Sequence, residues 1–287
     1  MKESIVYFTR NITSENVLEI YKKLNKELDG KVAIKVHSGE KGNQNFLKPE
    51  FYKNIVDYLN GTIVECNTAY DGERNTTEKH MKLLETHGWK DMYEVDLLDY
   101  SEELELPVKE SKHIKKNYVG KNIEKYDSLL VLSHFKGHPM GGYGGALKNM
   151  SIGLASSFGK ANIHGAGEPK KIWTADHDSF LESMAEAAST IMDYKKDKIA
   201  FINVMCNMSV DCDCCAKAED PCMKDIGILA SLDPVALDQA CIDLVYKSTD
   251  EGKNHLIERI ESKNGLHTIN TAEKLNVGMK KYKLVEF

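Results

Sequence analysis

Two rhythms of apolar and polar residues alternate along the chain. Short runs rich in β-branched and aromatic residues read as strands: SIVYF (4–8), VAIKV (32–36), TIVEC (62–66), MYEVDLL (92–98), LELPV (104–108), SLLVLS (128–133), KIAFINVMC (198–206), IGILA (226–230) and YKLVEF (282–287). Between them the apolar period lengthens to that of a helix. Val17, Leu18, Tyr21, Leu24 and Leu28 share one face of a segment spanning 13–28, capped by Thr13 or Ser14. Further helices are expected at 49–59, opening on Pro49, and at 76–87, stopping before Gly88. Another is expected at 178–192, with Phe180, Met184, Ala187, Ala188 and Ile191 facing inward. A helix capped by Asp233 and started by Pro234, and a short one near 271–276, complete the set. Strands alternating with helices imply an α/β fold, with mostly parallel sheet or sheets, flanking helices and two lobes around a cleft. The chain reads as one domain over 1–287, with about 1–130 and 131–287 as the candidate lobes.

Several of these strands end in polar or reactive residues. VAIKV runs into His37, TIVEC ends in Cys66 before Asn67, SLLVLS meets His134, and KIAFINVMC ends in Cys206 before Asn207. Ligands of open α/β sheets bind outside the carboxyl ends of the strands, so parallel neighbours would bring these residues to one edge.

Composition narrows the picture. With 287 residues, 41% of them hydrophobic, the chain can bury a large core. A net charge of −6 argues against a nucleic-acid binder, and the locally basic KESKHIKKNYVGKNIEK (109–125) reads as a solvated surface loop and helix. No window approaches the ~18 apolar residues of a membrane helix, and the N-terminus lacks a signal-peptide core. A soluble, cytoplasmic protein with no membrane partner is expected.

Two constellations carry chemistry. SHFKGHPMGGYGGALKN (133–149) places histidines, glycines and lysines between a strand and a helix. Glycines let backbone N–H groups approach a ligand, and a helix start favours an anion. Neither a P-loop nor a dinucleotide fingerprint is present. His134, His138 and Lys148 are the candidates for catalysis on a small anionic substrate. His37, Arg74, Gly144, Gly145 and His164, the last read as a loop histidine in ANIHGAGEPK, are the candidates for binding it. The second constellation puts Cys206, Cys212, Cys214, Cys215 and Cys222, five of the seven cysteines, into one short segment. An odd count in a reducing compartment favours metal or redox chemistry over disulfides. Cys212 and Cys215 make one zinc-type pair without a second, and common ferredoxin spacings are absent. Four thiolates in one loop suit a [4Fe–4S] cluster best, with zinc and unligated thiols as alternatives. Asp211, Asp213, Glu219 and Asp220 flank the cysteines, and such negative charge would hold a cluster at low potential.

FINVMCNMSVDCDCCAKAEDPCMKDIGILASLDPVALDQACIDLV resembles the signature of the domain of unknown function 362 family, described as carrying an iron–sulphur centre. The resemblance extends to KVAIKVHSGEKGNQNFLKPEF, NTAYDGERNTTEKH and SHFKGHPMGGYGGALKNMSIGLAS. It implies Cys212 and Cys214, in the DCDC core, as metal ligands, with Cys206 and Cys222, or Cys215 instead, completing the set. Many relatives add a ferredoxin-like module that is missing here, which implies an external electron donor such as a ferredoxin. A weaker resemblance links His138, the glycines after it and Lys148 to the lactate racemase family that uses a nickel-pincer nucleotide. It would make His138 a proton-transfer base and Lys148 a cofactor attachment point. The glycines do not match position by position, so what it implies is a shared two-lobed fold. The expectation is an iron–sulphur-binding protein, a redox or Lewis-acid enzyme for a small anionic substrate, possible as a homodimer. The alternatives are a 2-hydroxy-acid racemase or isomerase and a non-catalytic electron carrier or redox sensor.

Overall fold

The computed structural model describes residues 3–287. Its elements, in chain order, are β1 (Ser4–Thr9), α1 (Ser14–Lys23), β2 (Val32–Lys35), α2 (Lys53–Leu59), β3 (Thr62–Glu65), α3 (Thr77–Thr86), α4 (Trp89–Met92), β4 (Val95–Leu97), β5 (Glu103–Pro107), β6 (Lys116–Gly120), β7 (Ser128–His134), β8 (Lys136–His138), β9 (Gly142–Gly144), α5 (Ala146–Ser151), α6 (Ser157–His164), α7 (His177–Lys195), β10 (Ile199–Met205), β11 (Gly227–Ser231), α8 (Pro234–Lys247), α9 (Lys253–Ser262), α10 (Leu266–Lys274) and β12 (Tyr282–Glu286). Eight strands form one sheet in the order β12-β1-β11-β10-β7-β2-β3-β4. Only β11 runs against its neighbours. The strands β10, β7, β2, β3 and β4 are parallel in turn, and β12 is parallel to β1. The fold is therefore α/β with a mostly parallel sheet. The boundary considered near residue 130 falls inside β7, in the middle of this sheet, and strands from both stretches build it.

Side chains alternate across the sheet with period two. Leu129 and Val131 of β7 and Ile199 and Phe201 of β10 pack under α5, α7 and α8. Leu130, Leu132, Ala200, Ile202 and Val204 face α1 and α2 on the other side. Because helices cover both faces, these strands read as continuous apolar runs, which made them easy to find. No helix among the described residues is long and apolar enough to cross a membrane.

The elements missed in sequence share a cause. The basic stretch at 109–125 is more than a loop and helix: between an irregular segment and a short 3-10 helix (Lys121–Lys125) it contains β6, paired antiparallel with β5, and Asn117 and Val119 point inward while lysines face solvent. The glycine-rich segment folds a small hairpin, β8–β9. In α9 only Leu256 and Ile260 are buried among charged residues. His164 is the last residue of α6 rather than a loop residue.

One carboxylate sets the position of α5. Asp238 of α8 is fully buried and accepts from the backbone N–H groups of Ala146 (2.8 Å) and Leu147 (3.0 Å), from Asn203 Nδ2 (2.7 Å) and from the Tyr143 hydroxyl (3.2 Å). It thus satisfies two orphan donors at the start of α5. A Cβ at Gly145 would lie 2.5 Å from Asp238 Oδ1, so only glycine permits this approach. Asp238→Ala would leave four buried donors without an acceptor. It is expected to lower the unfolding free energy by about 3–5 kcal/mol in urea titrations; a loss under about 1 kcal/mol would show that α5 does not depend on this carboxylate.

Candidate active site

The parallel neighbours β3, β2, β7 and β10 end on one side of the sheet, as the strand-end residues predict. The segments that follow them close over a cavity of about 420 Å³. Its lining includes the three catalytic candidates His134, His138 and Lys148. It also includes the five binding candidates His37, Arg74, Gly144, Gly145 and His164. Cys214 and Cys66 reach it as well.

The cysteine loop is fastened through Asp213, whose side chain is 1% exposed. Its carboxylate meets Lys136 Nζ at 2.8 Å and His134 Nδ1 at 2.9 Å. Burial opposes ionisation, but His134 and Lys136 outweigh it and hold the carboxyl well below the usual range. The other nitrogen of His134 lies 2.6 Å from the Cys206 carbonyl. Both ring nitrogens of His134 are thus occupied by partners that fasten the loop. The loop's main chain is tied from the segment after β2. Asn43 Nδ2 donates to the carbonyls of Cys212 (3.3 Å) and Cys215 (2.9 Å), Gln44 Nε2 to Ala218 (2.7 Å) and Asn45 Nδ2 to Glu219 (2.8 Å). On the opposite side Gly137 N–H donates to the Ser209 carbonyl at 2.8 Å. A Cβ at Gly137 would lie 2.2 Å from the Val210 carbonyl oxygen, so the hairpin can approach only as glycine.

His138 and the thiols of Cys212 and Cys214 have donor atoms within 4.8 Å of one another, close enough to share a metal ion. The four-thiolate set Cys206, Cys212, Cys214 and Cys222 is not assembled. Cys206 continues the alternation of β10 and packs with Ala200, Ile202 and Val204 on one face of the sheet. Cys222 packs against the core of the other face and donates its thiol to the Met208 carbonyl at 3.2 Å. Cys215 sits half-buried beside Cys214. The flanking carboxylates also differ from expectation. Asp213 is paired as described and Asp211 meets Arg259 Nη1 at 3.3 Å, so of the four only the exposed Glu219 and Asp220 are without a cationic partner among the described residues.

Hydrogen bonds assign the tautomers of the remaining histidines. His138 Nδ1 accepts from the N–H groups of Met140 (3.1 Å) and Gly141 (2.8 Å), which places the proton of the neutral ring on Nε2, facing Cys214 Sγ at 3.9 Å. His37 Nδ1 accepts from Gly39 N–H at 3.2 Å in the same way. His164 is the reverse: its Nδ1 lies 2.8 Å from the Lys160 carbonyl and must donate, which leaves the Nε2 lone pair free. Its ring stacks on Phe180 at 4.8 Å. The Cys212 thiol is pulled below its ordinary pKa: burial and Cys214 oppose this, and the cationic wall, Lys148 and Lys136 foremost, prevails.

Sequence reasoning missed Lys35, Lys136 and Lys160, which line the same cavity, and the amides of 43–45 behind it. The one available signal was a lysine inside the apolar run VAIKV.

The chain is thus an open α/β sheet whose carboxyl edge carries a cation-lined cavity beside two thiol donors. The chain belongs to the family described as domain of unknown function (DUF362), whose model matches residues 32–243 and so takes in the whole cavity. No curated protein matches the chain. Among solved structures, the lactate racemase apoprotein from Thermoanaerobacterium thermosaccharolyticum aligns with a TM-score of 0.42 and 16% identity, over 69% of this chain and 50% of that one. A protein from Thermotoga maritima aligns with a TM-score of 0.44 and 13% identity, over 91% and 59% respectively. The chain thus spans half to three fifths of the length of these structures.

Burial pushes His37, His138 and His164 down to about 4 and His80 to about 3. Each folded-state value lies below the unfolded one, so the unfolded chain takes up protons first as pH falls. Stability is expected to be full above pH ~6.5 and to decline toward pH ~4, by up to about 1.4 kcal/mol per pH unit for each histidine. Urea midpoints at several pH values read this directly, and a flat profile across the window would contradict neutral burial of these rings.

Proposed function

We propose that the chain is an enzyme that binds a small anionic substrate in this cavity and removes a proton from it, with His164 as the general base. The observation that carries this reading is the free Nε2 of His164. Its Nδ1 is committed to the Lys160 carbonyl and its ring is held by Phe180, so one lone pair is left without a partner among the described residues, on a ring that lines a cavity rich in lysines. Burial holds this imidazole near 4, and Lys148 and Lys160 press in the same direction. An anion that neutralises those lysines raises the base toward its working range. The His138 Nε2–H and Lys148 supply a hydrogen-bond donor and a positive charge for the negative charge that develops when the proton leaves. Proton removal beside a carboxylate is the chemistry of racemases, isomerases and some lyases, and the 2-hydroxy-acid alternative belongs to this class.

The donor group at Cys212 and Cys214 supports a second element, a soft metal ion such as iron or zinc beside the substrate. When bound, such an ion would supply Lewis acidity. The two thiols are the firmer ligands, because the neutral His138 ring carries its proton on the nitrogen that faces them. A four-cysteine iron–sulphur cluster does not fit the placement of Cys206 and Cys222, and no step is assigned to one.

In D₂O, incubation with a panel of small 2-hydroxy and 2-keto carboxylates is expected to wash deuterium into at least one, at the carbon next to the carboxylate of a hydroxy acid or next to the carbonyl of a keto acid. His164→Gln should slow this about 100-fold or more, and retention of the full rate in that variant would remove His164 as the base. Metal analysis after anaerobic purification tests the second element. Cys212→Ser and Cys214→Ser should lose bound metal while Cys206→Ser and Cys222→Ser keep it. Equal loss in Cys222→Ser would restore the four-thiolate set.

A further inference from the structure

Five cationic side chains besides the histidines line the cavity, and their partners differ. Lys35 meets Glu65 at 2.7 Å, Arg74 meets Glu40 at 3.1 Å, and Lys136 meets Asp213 at 2.8 Å. Each of these three is compensated by a buried carboxylate. Lys148 and Lys160 are not: among the described residues, neither has a carboxylate within ion-pair distance. Lys160 is the more demanding case. It is 7% exposed, and its ammonium has a single acceptor, the Ala155 carbonyl at 2.5 Å. The two carboxylates that act on it are both engaged elsewhere: Asp99 accepts from the backbone N–H groups of Asn67 and Ser157, and Glu65 from Lys35 and the Ser38 N–H. A buried ammonium offers three protons, so two donors here point to no protein acceptor. A charge so placed needs a counter-charge.

We infer that the cavity takes a dianion, with one negative centre on Lys148 and the other on Lys160, a class that covers dicarboxylates and phosphate-bearing acids. This deepens the small-anion reading above and rests on it. His164 lines the same cavity as both lysines, so a ligand that bridges them shares the space with its ring. Charge balance then explains why two lysines remain uncompensated where two others and Arg74 are neutralised: the missing partner is the ligand.

Isothermal titration calorimetry at fixed ionic strength and neutral pH decides this. The probes are acetate and propionate against malonate, succinate and hydrogen phosphate. At least one dianion is expected to bind about tenfold or more tightly than either monocarboxylate. Tightest binding by hydrogen phosphate would assign both charges to one phosphate group, and tightest binding by malonate or succinate to two carboxylates; either supports the inference. Lys160→Met should reduce that dianion to the affinity of a monocarboxylate and leave the monocarboxylates within about twofold. Lys160→Arg, which keeps the charge, should retain the preference, and it serves where Lys160→Met fails to fold. Equal binding of dianions and monoanions would overturn the inference and leave the small-anion reading standing. A dianion preference unchanged in Lys160→Met would overturn it likewise. If none of the five probes bound, the small-anion reading itself would fall, and this inference with it.

Discussion

A buried carboxylate shared by a buried lysine and a buried histidine holds this site together. Asp213 sits in the cysteine loop, whereas His134 and Lys136 sit at the end of β7 and in β8. Neither Asp213 nor Lys136 could be buried charged alone, since an isolated ion in a low-dielectric interior is strongly unfavourable. Together they join two segments far apart in the chain and bring Cys212 and Cys214 against the cavity wall. The amides of Asn43, Gln44 and Asn45 then satisfy carbonyls that an irregular loop would otherwise leave open. The loop's shape is therefore written in a polar network made by its neighbours, and the cysteines are presented by it.

That arrangement explains what could be read in the sequence and what could not. The parallel strands are covered on both faces, so their apolar runs stand out, and the residues at their ends located the cavity. Charge pairs are a different matter. Lys35 meets Glu65 and Lys136 meets Asp213 across strands or loops, and spacing carries no trace of such pairings. The lysines in β6 concealed a strand because its two inward residues, Asn117 and Val119, are too few to announce a period. The ligand set for a cluster failed for a reason that was legible. In KIAFINVMC the even positions from Ala200 to Val204 form one face, and Cys206 is the next member of that series. Counting cysteines in a segment says nothing about where their thiols point; the pleat does.

The histidines show how one environment yields different chemical roles. His138 and His37 receive backbone N–H groups on Nδ1, and His164 gives its Nδ1 proton to a carbonyl of its own helix. Burial keeps all three neutral, so the distinction between donor and acceptor survives inside the cavity. On the proposed reading, an anion held by Lys148 and Lys160 would raise the basicity of His138 and His164, coupling ligand binding to proton affinity without any movement of the protein.

The place of β1 has a consequence for how the molecule forms. This strand lies between β11 and β12, and every backbone partner it has in the sheet comes more than two hundred residues later. A ribosome that has released β1 has not yet made anything for it to pair with. The parallel strands β2, β3 and β7, joined by much shorter connections, can assemble first, while β1 waits with unpaired edges until the last strands appear. The late step of folding is thus the closing of one side of the sheet by the two ends of the chain, remote from the cavity and after its walls are in place.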